Sequence, residues 1–113
     1  MKTIVAGSRT ISEYSVVQSA IIESGFTITE IVSGCARGVD TLGEKYANLN
    51  NLPIQKFPAD WNKYGKSAGY IRNGEMARYA DALIAIWDGQ SKGTKHMIDT
   101  AKKYNLTIHI YKV

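Results

Sequence analysis

Ala82-Leu83-Ile84-Ala85-Ile86-Trp87 runs directly into Asp88-Gly89-Gln90-Ser91-Lys92-Gly93-Thr94, and near the start of the chain Ile4-Val5-Ala6 runs in the same way into Gly7-Ser8-Arg9. An apolar run without alternation suits a strand covered on both faces, as in a parallel sheet. A glycine directly after such a strand lets the backbone come close to an anion, and the unpaired N–H groups opening the next helix point a positive dipole end at it. Two strand-to-helix loops rich in Gly, Ser and Thr therefore point to an α/β fold with a phosphate-binding crevice. A nucleotide-like small molecule is the first ligand to consider.

Outward from these two strands, the chain alternates strand and helix. The first strand is expected over residues 2 to 6, and Thr10 with Glu13 has the spacing of a capping box. It predicts a helix with Val17, Ala20, Ile21 and Ser24 at helical intervals and Gly25 as its stop. A second strand passes through Ile28, Ile31 and Val32 into Ser33-Gly34, and a helix follows from Val39 to about Leu49. Pro53 and Pro58 bracket a short third strand, Ile54 to Phe57, and Pro58 to Lys66 reads as an aromatic loop holding Trp61 and Tyr64. Ser67 is placed to cap a helix with Ile71, Met76 and Tyr79, and Gly93 or Thr94 opens a last helix with Met97, Ile98, Ala101 and Tyr104 on its inner side. Thr107 to Lys112 alternates like an outer strand.

This alternation predicts a parallel sheet, and right-handed crossovers give the order 3-2-1-4-5. The order reverses between the first and fourth strands, where open sheets of this kind bind ligands. Gly7 to Arg9 and Asp88 to Thr94 lie just beyond that switch point.

Composition fits one globular domain. The chain has 113 residues, 44% hydrophobic and 21% charged. Its single cysteine, Cys35, can form no internal disulfide, which suits a reducing cytoplasm. No signal-peptide pattern or bilayer-length apolar stretch is evident, so a cytoplasmic protein without a membrane partner is expected. The formal charge of +4 comes from scattered basic residues. That dispersion suits an anionic small ligand and makes nucleic acid a weak candidate.

Four segments project from strand ends or the helices after them: Gly7-Ser8-Arg9, Ser33 to Asp40, Ala68 to Met76, and Asp88 to His96. Neither Gly-rich loop matches the dinucleotide fingerprint or the P-loop, so nucleotide hydrolysis on the Walker plan is not expected. Arg9, Arg37 and Arg72 each lie beside a glycine or on a helix's first turns, where a guanidinium can grip a phosphate. Asp40 can accept from ribose hydroxyls, hold Arg37, or simply sit well at the start of its own helix, and Asp88 reads as a turn former before Gly89. Glu75, three residues after Arg72, suits an intrahelical ion pair or a general acid or base. His96 falls in the first turn of the last helix, where the dipole favours the neutral ring. Cys35 reads as a small buried residue; Trp61, Tyr64 and Tyr70 can stack on a base or fill gaps beneath their loop, with core packing the favoured reading of Trp61. Two histidines and one cysteine give no metal-ligand spacing, and no cofactor is expected.

Gly-Ser-Arg at 7–9, Ser-Gly-x-Ala-Arg-Gly-Val-Asp at 33–40, Ala-Gly-x-x-Arg-Asn-x-x-Met at 68–76, and the segment from Ala80 to Thr94 together resemble the YspA/YpsA-related branch of the SLOG superfamily. The resemblance spans nearly the whole chain. It implies a Rossmann-like three-layer domain with a five-stranded, mainly parallel sheet. Relatives in that superfamily include proposed sensors of nucleotides or NAD-derived molecules, the Lonely-guy phosphoribohydrolases and the DNA-binding DprA proteins.

The resemblance implies binding of a nucleotide, or an NAD- or ADP-ribose-derived molecule, for sensing or sequestration. Gly7, Ser8, Arg9, Gly93 and Thr94 would serve phosphate, with Ser33, Gly34, Arg37, Gly38, Asp40, Arg72, Asn73, Asp88, Gly89 and Ser91 completing the pocket. The alternative is an N-glycosidic hydrolase using Arg72 with Glu75 or His96 as proton carrier, although His96 stands where Lonely-guy enzymes place a glutamate. A DprA-like nucleic-acid binder is the third reading. Homo-oligomerisation through the helices flanking the sheet is also expected.

Overall fold

The computed structural model describes all residues, 1–113. The strands are β1 (Lys2–Gly7), β2 (Glu30–Ser33), β3 (Ile54–Lys56), β4 (Ala82–Trp87) and β5 (Thr107–Lys112). The helices are α1 (Tyr14–Ser24), α2 (Val39–Leu49), the single turn α3 (Trp61–Tyr64), α4 (Ala68–Tyr79) and α5 (Lys92–Lys103). One sheet has the order β3-β2-β1-β4-β5, and every neighbouring pair is parallel. The expected α/β, Rossmann-like order is thus the observed one.

Side-chain alternation along the central strands builds the three layers. Ile4, Ala6, Leu83 and Ala85 face α4 and α5, where they meet Met76, Ala77, Met97, Ile98 and Ala101. Val5, Ile84 and Ile86 face the other way, onto Val17, Ala20 and Ile21 of α1 and Val39 and Ala47 of α2. β1 and β4 are buried on both faces, which accounts for their unbroken apolar sequence. β5 is an edge strand and alternates. No helix is long and apolar enough to cross a membrane.

Several boundaries differ from the sequence reading. The Thr10–Glu13 capping box does not form, because the Thr10 hydroxyl is engaged with Ser8 Oγ at 2.8 Å and α1 starts only at Tyr14. Gly25 does stop that helix, in the left-handed region, its N–H donating to Ile22 O. The second strand starts at Glu30, later than Ile28 implied. The stretch taken as a loop before Lys66 contains α3, capped by Asp60, whose side chain accepts from Lys63 N. Ser67 precedes α4 without a side-chain cap, and α5 opens at Lys92, capped by Ser91, rather than at Gly93 or Thr94.

Candidate functional site

The loops after β1 and β4 open at the carboxyl edge of the sheet, on either side of the switch point. In the first, Ser8 Oγ accepts the Thr10 N–H, folding the chain back on itself. This loop lies against the start of α2, where Val39 N donates to Ser8 O at 3.3 Å. In the second, Asp88 Oδ1 accepts from both Gln90 N and Ser91 N at 2.8 Å. These two bonds hold Asp88 below the usual carboxylate range, so it serves the turn as expected. Ser91 Oγ then caps α5 at Thr94 N and meets Thr94 Oγ1 at 3.1 Å. With the Thr94 N–H taken by that cap, the N–H groups of Lys92 and Gly93 remain to meet an anion.

Between these loops and α4 lies a cavity of about 450 Å³. That volume is within the range of small-molecule sites, roughly 300–1,000 Å³. Of the residues singled out from sequence, Gly7, Ser8, Arg9, Asp40, Arg72, Asn73, Ser91, Gly93 and Thr94 line it. Thr10, Lys66, Trp61 and Tyr70 also line it, with Met76 and Met97 among the apolar residues. The wall therefore mixes cations, hydroxyls and helix-end amides with aromatic and thioether surface.

The other candidates lie elsewhere. Gly34 borders a smaller adjoining cavity with Cys35 and Pro58, sharing Arg9, Ala36, Trp61 and Arg72 with the first. Ser33 is buried, its hydroxyl donating to Glu44 Oε2 at 2.6 Å. Gly38 holds the two loops together, and Gly89 supplies a left-handed turn after Asp88. Arg37 is exposed and lines none of the three cavities, and no ion pair joins it to Asp40. Glu75 is exposed and forms no ion pair with Arg72. His96 lies beside the first cavity, in a neighbouring one.

Arg72 reaches across from α4 to the β2 end, donating through Nη1 to Gly34 O and through Nε to Asn73 Oδ1 at 3.1 Å. This cross-chain reach replaces the expected intrahelical pair with Glu75. Asp40 lies at the same place. A Cβ built on Gly34 would stand 2.8 Å from both Arg72 Nη1 and Asp40 Oδ2, so a larger residue there would have to displace one of these side-chain ends. Asp40 also accepts from Ala36 N at 3.2 Å. Burial raises its carboxyl to about 6, against the opposing pull of the Ala36 N–H, Arg72 and Arg9.

Two residues read as core are not. Trp61 is 52% exposed and borders two cavities, because α3 carries it out to the mouth of the site. Cys35 is exposed and left-handed, with φ 63°. Thr10 and Lys66 were absent from the sequence candidates. Thr10 continues the Gly-Ser-Arg run and could have been found there, whereas Lys66 reaches the site from the short 3-10 turn Gly65–Ser67 between α3 and α4.

The raised Asp40 carboxyl has a consequence for stability. Because the folded value lies above the ordinary one, the neutral form is favoured by folding. That contribution is complete below about pH 4 and is lost as pH rises through about 6. A shift of this size is about 3 kcal/mol. Urea unfolding of the wild type and of Asp40→Asn at pH 4 and pH 8 is expected to show the wild type losing about that much relative to the variant. Parallel profiles would show that Asp40 ionises as freely in the fold as out of it.

No family model matches the chain. It is 31% identical over 117 residues to the gene 61 protein of Mycobacterium phage D29, covering 95% of this chain and 93% of that protein. Its fold is similar to the X-ray structure of DNA processing protein A (DprA) from Streptococcus pneumoniae, with a TM-score of 0.74 and 18% identity. The alignment takes in 96% of this chain and 49% of that one, so the chain spans about half the length of DprA. At that sequence identity and coverage, the chain belongs to the family of the gene 61 protein of Mycobacterium phage D29.

Proposed function

We propose that this protein binds a nucleotide in the crevice at the carboxyl ends of β1 and β4, and binds it without turnover. The observation that carries the reading is one cavity lined together by Ser8, Arg9, Arg72, Gly93 and Thr94 and by the rings of Trp61 and Tyr70. The hydroxyls, guanidinium groups and α5 amides suit phosphate, and the two rings suit a base. Binding is favoured over hydrolysis because Glu75 is exposed outside the cavity and His96 lines the neighbouring one. The four motif segments quoted above favour the SLOG superfamily as its wider relationship, with a nucleotide or an NAD-derived molecule as ligand.

Nucleic acid is the second reading. It is favoured by the fold shared with a protein described as DNA processing protein A.

Thermal unfolding with AMP, ATP, NAD, ADP-ribose and a single-stranded oligonucleotide tests both. A ligand at about a hundred times its Kd adds roughly 2.7 kcal/mol to stability. A raised midpoint with the nucleotide recovered intact is expected. Recovery of free base would establish hydrolysis instead. An effect confined to the oligonucleotide, and steeply lost with salt, would favour the second reading.

A further inference from the structure

Tyr70 is shared by two cavities. Its 51% exposed side chain lines the nucleotide cavity and also a second one, of about 350 Å³, between α4 and α5. His96, Thr100, Lys103 and Tyr104 line the second cavity with it.

What this cavity offers follows from a run of hydrogen bonds with a single consistent direction. Arginine has donors and no acceptor, so Arg72 Nε donates to Asn73 Oδ1. The Asn73 amide is thereby oriented, and its Nδ2 donates to His96 Nδ1 at 3.1 Å. A ring nitrogen that accepts carries no proton, so neutral His96 holds its hydrogen on Nε2. Burial, which lowers the His96 value, agrees with a neutral ring. Nε2–H has no partner within the protein. Tyr70 stacks on this ring with centroids 4.2 Å apart and planes at 24°. The tyrosine is therefore held on a fixed support.

The charge of the second cavity is also set. Its one carboxylate, Asp99, is taken up by Lys95 Nζ at 2.8 Å. Lys103 lies on the same side of α5 one and two turns beyond Asp99 and His96, leaving an ammonium and a neutral N–H donor beside two tyrosine rings. An ammonium and an N–H suit a phosphodiester oxygen, and the rings suit a base.

We propose that the cavity between α4 and α5 is a second nucleotide subsite, and that the ligand is two nucleotides joined by a phosphodiester, lying across Tyr70. This rests on the nucleotide reading of the first cavity. A free dinucleotide and a dinucleotide step within a single strand present the same chemistry.

The test is titration calorimetry of the full chain with the mononucleotides pT and pA, the dinucleotides pTpT and pApA, and a longer oligothymidylate. At least one dinucleotide is expected to bind about tenfold more tightly than its mononucleotide, a gain of about 1.4 kcal/mol. Lys103→Ala, at an exposed position, is expected to remove that gain, so that the dinucleotide binds no better than the mononucleotide. A further rise with the longer strand would make the source single-stranded nucleic acid, and no further rise would make it a free dinucleotide. Mononucleotide binding with no dinucleotide gain, or a gain that survives Lys103→Ala, would overturn the second subsite and leave the first reading standing. Binding of neither class would overturn both.

Discussion

Arg72→Ala is expected to weaken nucleotide binding by about a hundredfold, equivalent to about 2.7 kcal/mol. Three jobs meet in this side chain. It lines the cavity, donates to Gly34 O, and orients the Asn73 amide. Its charge also acts on Asp40, whose buried carboxylate would lose a cation that favours its ionised form. Removing the guanidinium leaves the Gly34 carbonyl and the buried Asp40 carboxylate with less to offset their desolvation. The variant should therefore lose affinity and about 1–3 kcal/mol of stability together. Arg72→Lys separates the effects, since it keeps the charge but not the planar fork. Calorimetry on both variants checks this. Unchanged affinity in a folded Arg72→Ala would show that the ligand never touches the guanidinium.

The second large effect is expected at Gly38. Its φ of 76° lies where side chains are disfavoured, and an added Cβ would stand 2.7 Å from Arg9 Cα and from Arg9 C. Neither neighbour is a flexible side-chain end. Strain and overpacking each cost about 1–3 kcal/mol, so Gly38→Ala is expected to lose about 3 kcal/mol or more. The damage should extend to ligand affinity, because relief of the clash must push the Ser8–Arg9 loop toward the cavity. Denaturant unfolding and nucleotide titration of the same variant measure both. A variant as stable as the wild type would mean that the loop yields without resistance.

The sheet was legible because its signals are local. The runs at Ile4 and Ala82 need only their own residues to read as covered strands, and crossover handedness then orders them. Gly7, Ser8 and Arg9 at the end of β1, and Gly93 and Thr94 in the first turn of the helix after β4, were legible for the same reason, since strand-to-helix connections are read from adjacent residues. The failures all involve a partner distant in sequence or a local competitor. Thr10 matched the capping spacing, yet Ser8 claims its hydroxyl. Arg72 had Glu75 at helical spacing, yet Gly34, 38 residues away, offers a buried carbonyl. Trp61 resembled a core residue because spacing cannot reveal that Asp60 caps a single turn that lifts it outward. Tyr70 and His96 gave no sign that their rings stack.

The wholly parallel sheet also governs when the protein becomes competent during its synthesis. Parallel neighbours cannot be joined by a tight hairpin, so every pairing waits for an intervening crossover. The longest wait is at the centre, where β1 pairs with β4 and Thr3 lies opposite Ala82. At ribosomal rates of roughly 5–20 residues per second, about 4–16 s separate the emergence of these two strands. Through that interval β1 has at most β2 beside it, and the row of unpaired N–H and C=O groups that β4 will cover stays open to chaperones or to other nascent chains. The loop that begins at Gly7 is made first and the one that ends at Thr94 is made late. A growing chain thus carries only part of the cavity wall for most of its synthesis.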